Sequence, residues 1–167
     1  MAVQYGQMAL MVILMTPSQI VNSNLLTIQK LLAIDSDSNS QMEPSQLIAL
    51  GIPVTAIVRL KQLTGLSEQE MAQTVGISRR TLSRRIQQAS LNATKRLSAV
   101  ESDRLYRLAV IVVKAVDVFG DEATALSWLK EPLVALQGQT PLEALKTEPG
   151  VRQVDLLLGR IEHGIFA

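Results

Sequence analysis

The 167-residue sequence contains no cysteine and only one histidine, His163. Without cysteine, neither a disulfide framework nor a thiolate metal site can form, and a single histidine cannot build a histidine cluster. The sequence also lacks a Walker-type phosphate loop and the nucleophile elbow of hydrolases. We therefore expect that the chain is not an enzyme and uses no catalytic residue, metal ion or cofactor. The absence of cysteine fits a reducing cytoplasm, where we expect the protein.

Aromatic residues are also scarce, at 3% of the chain, whereas apolar residues as a whole reach 47%. The interior must therefore be built mainly from Leu, Ile, Val, Ala and Met. Chains rich in Leu and Ala favour helices over sheets. Because no run of alternating apolar and polar residues indicates a strand, we expect an all-α protein.

Long hydrophobic runs are missing as well. The run at residues 8–15 is uninterrupted but has only eight residues, whereas a membrane-spanning helix needs about 20. A signal peptide would need early positive charge, yet no Lys or Arg precedes Lys30. We expect no membrane association, and we interpret the run as an arm that packs on the body or as a leader from an upstream start codon. A helix near residues 25–32 and a polar linker at residues 35–40 follow it.

The net charge of +1 hides an uneven distribution of charged residues. Residues 53–107 contain ten Lys and Arg against four Asp and Glu, and no acidic residue lies between Glu70 and Glu101. The rest of the chain holds six basic and eleven acidic residues. A basic centre of this kind is typical of phosphate binding and predicts a nucleic-acid partner.

Capping residues, glycines and prolines divide the chain after residue 43 into helices. A Ser or Thr followed three residues later by Glu forms a capping box at three places, which begin at Ser67, Ser98 and Thr140. The second box starts the longest predicted helix, over residues 99–119. Pro53 opens a helix that Gly65 ends, and Ser78 caps another that reaches about Gln88. Asp121 caps a helix that ends near Leu129. After a break at Pro149 and Gly150, a last helix runs through residues 151–161.

Residues 68–87 have the pattern of a helix-turn-helix. Ala72 supplies the small residue where two helices cross closely, and Gly76 supplies the positive φ of the turn four residues later. Apolar residues that would bury the crossing lie at the expected relative positions: Met71, Val75, Ile77 and Leu82.

The second helix of this unit carries four arginines within seven residues and no carboxylate. If Leu82 and Ile86 face inward, the polar side chains face outward, and a recognition helix of this kind reads base edges and holds phosphates. The alternative is a basic face that meets only solvent. Candidate DNA contacts are Ser78, Arg79, Arg80, Ser83, Arg84, Arg85 and Gln87. Because one recognition helix covers only a half-site, we expect a homodimer on an inverted repeat.

The last third of the chain carries a combination of short motifs. They are Phe119-Gly120-Asp121, Trp128-Leu129 followed by Pro132, Gly138-x-Thr140-Pro141-Leu142, and Gly159-Arg160-Ile161-Glu162-x-Gly164. With Gly76-Ile77-Ser78-Arg79-Arg80 and Glu101-Ser102-Asp103-Arg104 upstream, the chain resembles the Xre/MbcA/ParS antitoxins from about residue 47 to its end. The first forty or so residues have no such counterpart.

This resemblance implies an antitoxin that pairs with a RES-domain toxin, an enzyme that degrades NAD. The antitoxin would cover the entrance to the toxin's active site with its C-terminal segment, and it would repress its own operon through the helix-turn-helix. The candidate toxin contacts are Arg160, Glu162, His163 and Phe166. The implied organisation is an N-terminal arm and linker (1–42), a helix-turn-helix domain (43–97), and a long helix with a toxin-binding domain (98–167).

Less specific interpretations stay open at this point. The chain could be a stand-alone transcriptional regulator whose C-terminal helices dimerise or sense a ligand. Phe119 and Trp128 are more typical of a core than of an interface, and His163 could be merely solvated. The observation that separates an antitoxin from a regulator is a stable complex with the product of the adjacent gene.

Overall fold

The computed structural model describes residues 27–29, 31–32, 42–91 and 95–164. The apolar run at residues 8–15, the predicted linker at residues 35–40 and Phe166 lie outside these ranges. Residues 27–29 are helical, and the amide of Leu32 donates to the carbonyl of Ile28 at 2.9 Å. The predicted early helix is thus present where the chain is described, and both side chains are buried.

The remainder of the described chain is a succession of helices. They are α1 (Pro44–Leu50), α2 (Thr55–Thr64), α3 (Glu68–Val75), α4 (Arg79–Leu91), α5 (Ala99–Phe119), α6 (Glu122–Lys130), a 3-10 turn (Val134–Leu136), α7 (Pro141–Ala144) and α8 (Glu148–Glu162). Over these ranges there is no strand, only an isolated antiparallel bridge between Pro53 and Arg96. The all-α prediction is confirmed.

The three predicted capping boxes are all present. The hydroxyls of Ser67, Ser98 and Thr140 each accept from the amide three residues later, and the glutamate at that position accepts from the capping residue's own amide. Asp121 caps α6 by accepting from the amide of Thr124 at 2.7 Å. These bonds satisfy amides that have no partner inside the helix, so the starts of four helices follow from local sequence alone.

Three predicted helix boundaries need correction. Helix α2 begins at Thr55 rather than Pro53, because Pro53 is held in the bridge to Arg96. Helix α4 extends to Leu91, beyond the expected end at Gln88. Pro149 and Gly150 do not break the chain but lie in the first turn of α8, where proline needs no amide hydrogen bond and Thr147 caps the helix.

The long helix α5 lies at the centre of the molecule. It packs against α1, α2, α3, α6 and α8, and α7 packs on α6 and α8 beside it. Leu105, Leu108 and Ile111 on α5 are almost completely buried. One apolar cluster runs from Ile28 in the early helix to Leu158 in α8. The helix-turn-helix and the C-terminal helices therefore share one core.

Phe119 and Trp128 contact each other at the end of α5, with ring centroids 5.5 Å apart and planes tilted by 45°. Both are half-buried and pack against the core cluster, as expected of core residues. Within the described residues, no helix has both the length and the apolar character needed to cross a membrane.

Candidate nucleic-acid interface

Helices α3 and α4 pack against each other across the turn at Gly76, which has a φ of 79°. The Gly76 amide donates to the carbonyl of Ala72 at 2.8 Å and so closes α3. Met71, Ala72, Val75 and Leu82 are all at most 1% exposed, and Ile77 and Ile86 are half-buried against them. The predicted helix-turn-helix is confirmed, with its two inward-facing positions on α4 as expected.

The turn is crowded by Arg104, which reaches over it from α5. Nη1 of Arg104 donates to the carbonyl of Val75 at 3.3 Å, and a Cβ added to Gly76 would lie 1.4 Å from that nitrogen. The left-handed backbone therefore favours glycine, and a side chain at this position would displace the guanidinium end of Arg104 from the Val75 carbonyl. A cation at the end of α3 is also favourable, since the last carbonyls of a helix carry partial negative charge.

Ser78 begins the second helix of the unit. Its hydroxyl accepts from the amide of Thr81 at 3.1 Å and lies 2.8 Å from the Thr81 hydroxyl. The hydroxyl is thus used as a helix cap. A role for Ser78 toward DNA would come through the start of the helix that it stabilises.

Three of the four arginines of α4 are exposed to solvent. They are Arg79, Arg80 and Arg84, and the side chain of Arg79 is 66% exposed. Arg80, Arg84 and the exposed Gln87 follow one another at a spacing of four and three residues, so they lie on the same face of the helix. The structure thus brings three guanidinium groups to the surface within about one and a half helical turns.

Arg85 is placed differently from the other three. Its side chain is 29% exposed, and its Nη1 lies 2.6 Å from Oε2 of Glu101 at the start of α5. The same carboxylate accepts from the amide of Ser98 at 2.9 Å. Arg85 therefore fixes α4 to α5, and its charge is already matched within the protein.

The environment of Glu101 keeps it ionised. Burial raises the pKa of Glu101, but the hydrogen bonds from Arg85 and Ser98 outweigh burial, and the resulting pKa lies below its ordinary value. The ion pair is thus stable at neutral pH.

Ser83 and Arg79 both contact Glu68, the first residue of α3. The Ser83 hydroxyl donates to Oε2 of Glu68 at 2.9 Å, and Nε of Arg79 lies 3.7 Å from the same oxygen. The hydrogen bond from Ser83 lowers the pKa of Glu68 against the effect of burial, and Lys61 and Arg79 lower it further by their charge. The sequence shows no carboxylate on α4 that would balance its arginines, but packing brings Glu68 beside Arg79 and Glu101 beside Arg85.

The candidate toxin contacts lie at the end of α8. Arg160, Glu162 and His163 are all exposed, and Phe166 lies outside the described residues. Helix α8 is tied to α5 by ion pairs of Lys114 with Asp155 at 2.6 Å and of Arg107 with Glu148 at 2.9 Å. The helix that carries these three residues is therefore held firmly on the body.

Comparison with known proteins shows two matched regions. Residues 43–110 match the antitoxin Xre-like helix-turn-helix domain, and residues 114–164 match the antitoxin Xre/MbcA/ParS C-terminal toxin-binding domain. A relative from Photorhabdus laumondii named antitoxin Xre is 33% identical over 91% of this chain and 97% of its own length. This chain belongs to the Xre antitoxin family.

Further relatives with the same name come from other bacteria. Antitoxin Xre of Yersinia enterocolitica is 32% identical over 72% of this chain and 78% of its own length, and that of Pseudomonas putida is 34% identical over 75% and 74%. Among solved structures, a chain of the M. tuberculosis MbcT–MbcA toxin–antitoxin complex is 22% identical, with a TM-score of 0.47, over 68% of this chain and 96% of that chain.

The two matched regions of the antitoxin meet inside α5. The helix-turn-helix match ends at residue 110 and the toxin-binding match starts at residue 114, whereas α5 runs without interruption from Ala99 to Phe119. The DNA-binding and toxin-binding parts of this antitoxin are therefore connected by a continuous helix.

Sequence reasoning missed Glu68, Glu101 and Arg104 as partners of the helix-turn-helix. Each lies outside α4 in the sequence, and only packing brings it beside the turn or the recognition helix. One signal was present for Glu101, since its capping box predicted the helix start that places its carboxylate.

Proposed function

We propose that this antitoxin binds and neutralises a cognate RES-domain toxin that degrades NAD, and that it represses its own operon through the helix-turn-helix. It acts by binding, without a catalytic reaction of its own. Membership of the Xre antitoxin family and the two matched regions support this proposal. They also favour it over a stand-alone regulator, for which a toxin-binding domain would have no use.

The decisive support for DNA binding is the exposure of Arg79, Arg80 and Arg84 on α4. A guanidinium group donates to two acceptors on guanine or to phosphate oxygens, and three such groups along the start of a recognition helix suit the major groove. Gln87 would extend the same face, while Ser78 and Ser83 would act through the helix cap and through Glu68. Arg85 would contribute by holding the helix in place.

One recognition helix reads only a short half-site, so we propose that two copies of the antitoxin bind an inverted repeat. In a symmetric dimer each half-site is contacted by the same residues. This arrangement would repress the operon by occupying the promoter.

For neutralisation we propose that the end of α8 and the residues after it lie against the toxin. Arg160, Glu162 and His163 are exposed there, and Phe166 follows in the sequence. Arginine and aromatic side chains are the residues that most often anchor protein interfaces.

The test is coexpression with the product of the adjacent gene. The neighbour alone should arrest growth and deplete cellular NAD, and coexpression of the antitoxin should restore both and yield a complex that stays together in gel filtration. The purified antitoxin alone should leave NAD intact. If the neighbour has no effect on growth and the two proteins elute separately, the proposed partner is wrong.

A further inference from the structure

A carboxylate lies beside the recognition helix although α4 itself contains no acidic residue. Oε2 of Glu68 accepts a hydrogen bond from Ser83 at 2.9 Å and lies 3.7 Å from Nε of Arg79. Its second oxygen lies 3.9 Å from Nζ of Lys61 on α2. Residues from both neighbouring helices therefore hold this carboxylate against the first turn of α4.

Such a carboxylate works against binding to DNA in general. A negative charge a few ångströms from a phosphate weakens binding about five-fold even in water. A glutamine would accept the same hydrogen bond from Ser83 without this cost. Neither the affinity of the antitoxin for phosphate nor the hydrogen bond from Ser83 therefore explains why residue 68 carries a negative charge.

The contact with Arg79 supplies an explanation. A guanidinium group approached by a carboxylate at Nε keeps its two terminal nitrogens for other acceptors. Two terminal nitrogens of this kind can donate to O6 and N7 of guanine together. The ion pair with Glu68 thus lies on the Nε side of Arg79 and leaves the two terminal nitrogens available.

We propose that Glu68 is a positioning residue for sequence discrimination, which orients Arg79 for a base and weakens the binding of DNA of other sequences. The inference rests on the proposed DNA binding and adds to it. Correct DNA gains the oriented contact and so offsets the repulsion from the carboxylate, whereas other DNA experiences the repulsion alone.

A purely structural role is the competing explanation, because Glu68 lies in the first turn of α3 where a negative charge favours the helix dipole. Glu70 provides the matched control. It lies in the same turn, but its carboxylate accepts from Ser67 and faces the charges of Lys130 and Lys146 instead of α4. Glu70→Gln removes the same charge from the same turn and keeps a side chain that can form the capping box.

The experiment compares the full-length wild type, Glu68→Gln and Glu70→Gln on two duplexes over a range of salt concentrations. One duplex is the promoter region of the antitoxin's own operon, and the other is a scrambled duplex of equal length and composition. Thermal unfolding confirms that each variant is folded. We expect Glu68→Gln to bind the scrambled duplex about five-fold more tightly and to lose about ten-fold in the ratio of promoter to scrambled affinity. Glu70→Gln should retain the wild-type ratio.

A double-mutant cycle tests whether Glu68 acts through Arg79. In an Arg79→Ala background, Glu68→Gln should tighten binding to both duplexes equally and should therefore leave the ratio of promoter to scrambled affinity unchanged. An unchanged ratio in the single variant, or an equal loss in the Arg79→Ala background, would overturn the positioning role. If the wild type bound neither duplex, the proposed DNA binding itself would be wrong. That result differs from DNA binding whose sequence preference does not depend on Glu68.

Discussion

Arg85 and Glu101 join the recognition helix to the start of α5 through a contact of 2.6 Å between Nη1 and Oε2. The side chain of Glu101 is 12% exposed, and its carboxylate also accepts from the Ser98 amide. One carboxylate therefore caps α5 and holds α4 against it. Since α5 continues into the matched toxin-binding domain, the orientation of α4 depends on the helix that also supports the helices of that domain.

This ion pair should make the stability of the antitoxin sensitive to acid. The pKa of Glu101 is lowered in the folded protein, so its stabilising effect is complete above the ordinary glutamate pKa of 4.5 and is lost as the pH falls through the lowered value. Replacing Glu101 with Gln removes this dependence. In urea unfolding, the stability advantage of wild type over Glu101→Gln should shrink as the pH falls below 4.5 toward the lowered pKa of Glu101.

An Arg85→Ala background serves as the control for that measurement. The arginine that pairs with Glu101 is then missing, so the pKa of the carboxyl group is lowered less. The stability difference between Arg85→Ala and the double variant Arg85→Ala, Glu101→Gln should therefore vary less with pH than the same difference in the wild-type background. A difference that stays constant over the acid range in the wild-type background would contradict the assigned role of Glu101.

The exposed arginines of α4 should be required for DNA binding and dispensable for neutralisation. Changing Arg79, Arg80 and Arg84 to Ala should abolish binding to the promoter and reduce the dependence of binding on salt, because fewer phosphate counterions are released. All three side chains are exposed, so the free energy of unfolding should change by no more than about 0.5 kcal/mol per site. Electrophoretic mobility shifts at several salt concentrations and growth rescue measure the two activities.

Deletion of residues 159–167 should have the opposite effect. The exposed end of α8 contributes little to the core, whose last members in this helix are Val154 and Leu158. The truncated antitoxin should therefore still bind the promoter but fail to rescue growth from the toxin. A truncation that loses promoter binding while it stays folded would show that the two surfaces are not separable.

Gly76 and Gly120 form a matched pair for testing the contact of Arg104 with the turn. Both have positive φ, 79° and 67°, so an alanine at either position costs about 1–2 kcal/mol of backbone strain. No atom lies within 4 Å of a Cβ at Gly120, whereas a Cβ at Gly76 displaces Arg104 from the Val75 carbonyl. Gly76→Ala should therefore lower the free energy of unfolding by about 0.5–1.5 kcal/mol more than Gly120→Ala.

An Arg104→Ala background tests whether the larger destabilisation by Gly76→Ala comes from Arg104. Without the arginine side chain there is nothing to displace, so the two glycine substitutions should destabilise the antitoxin by similar amounts. Chemical denaturation of each glycine variant in both backgrounds measures the two differences. Equal effects of the two alanines in the wild-type background would show that Arg104 adds nothing at the turn.

Local sequence alone determined the starts of the four capped helices α3, α5, α6 and α7, the turn at Gly76 and the basic character of α4. Ser67, Ser98 and Thr140 each bond to an amide three residues away, and Gly76 closes α3 through Ala72 four residues back. Such contacts form within one helical turn and need no other part of the chain. The motifs of residues 119–164 were likewise enough to indicate the family.

Tertiary structure decided which of the basic residues remain available to a partner. Ser83 meets Glu68 across 15 residues of sequence, Arg85 meets Glu101 across 16, and Arg104 reaches Val75 across 29. Whether two such polar groups meet depends on how α3, α4 and α5 pack, and this packing follows from the burial of apolar side chains rather than from the polar groups themselves. The sequence therefore predicted a cluster of four arginines, and the packing left three of them at the surface.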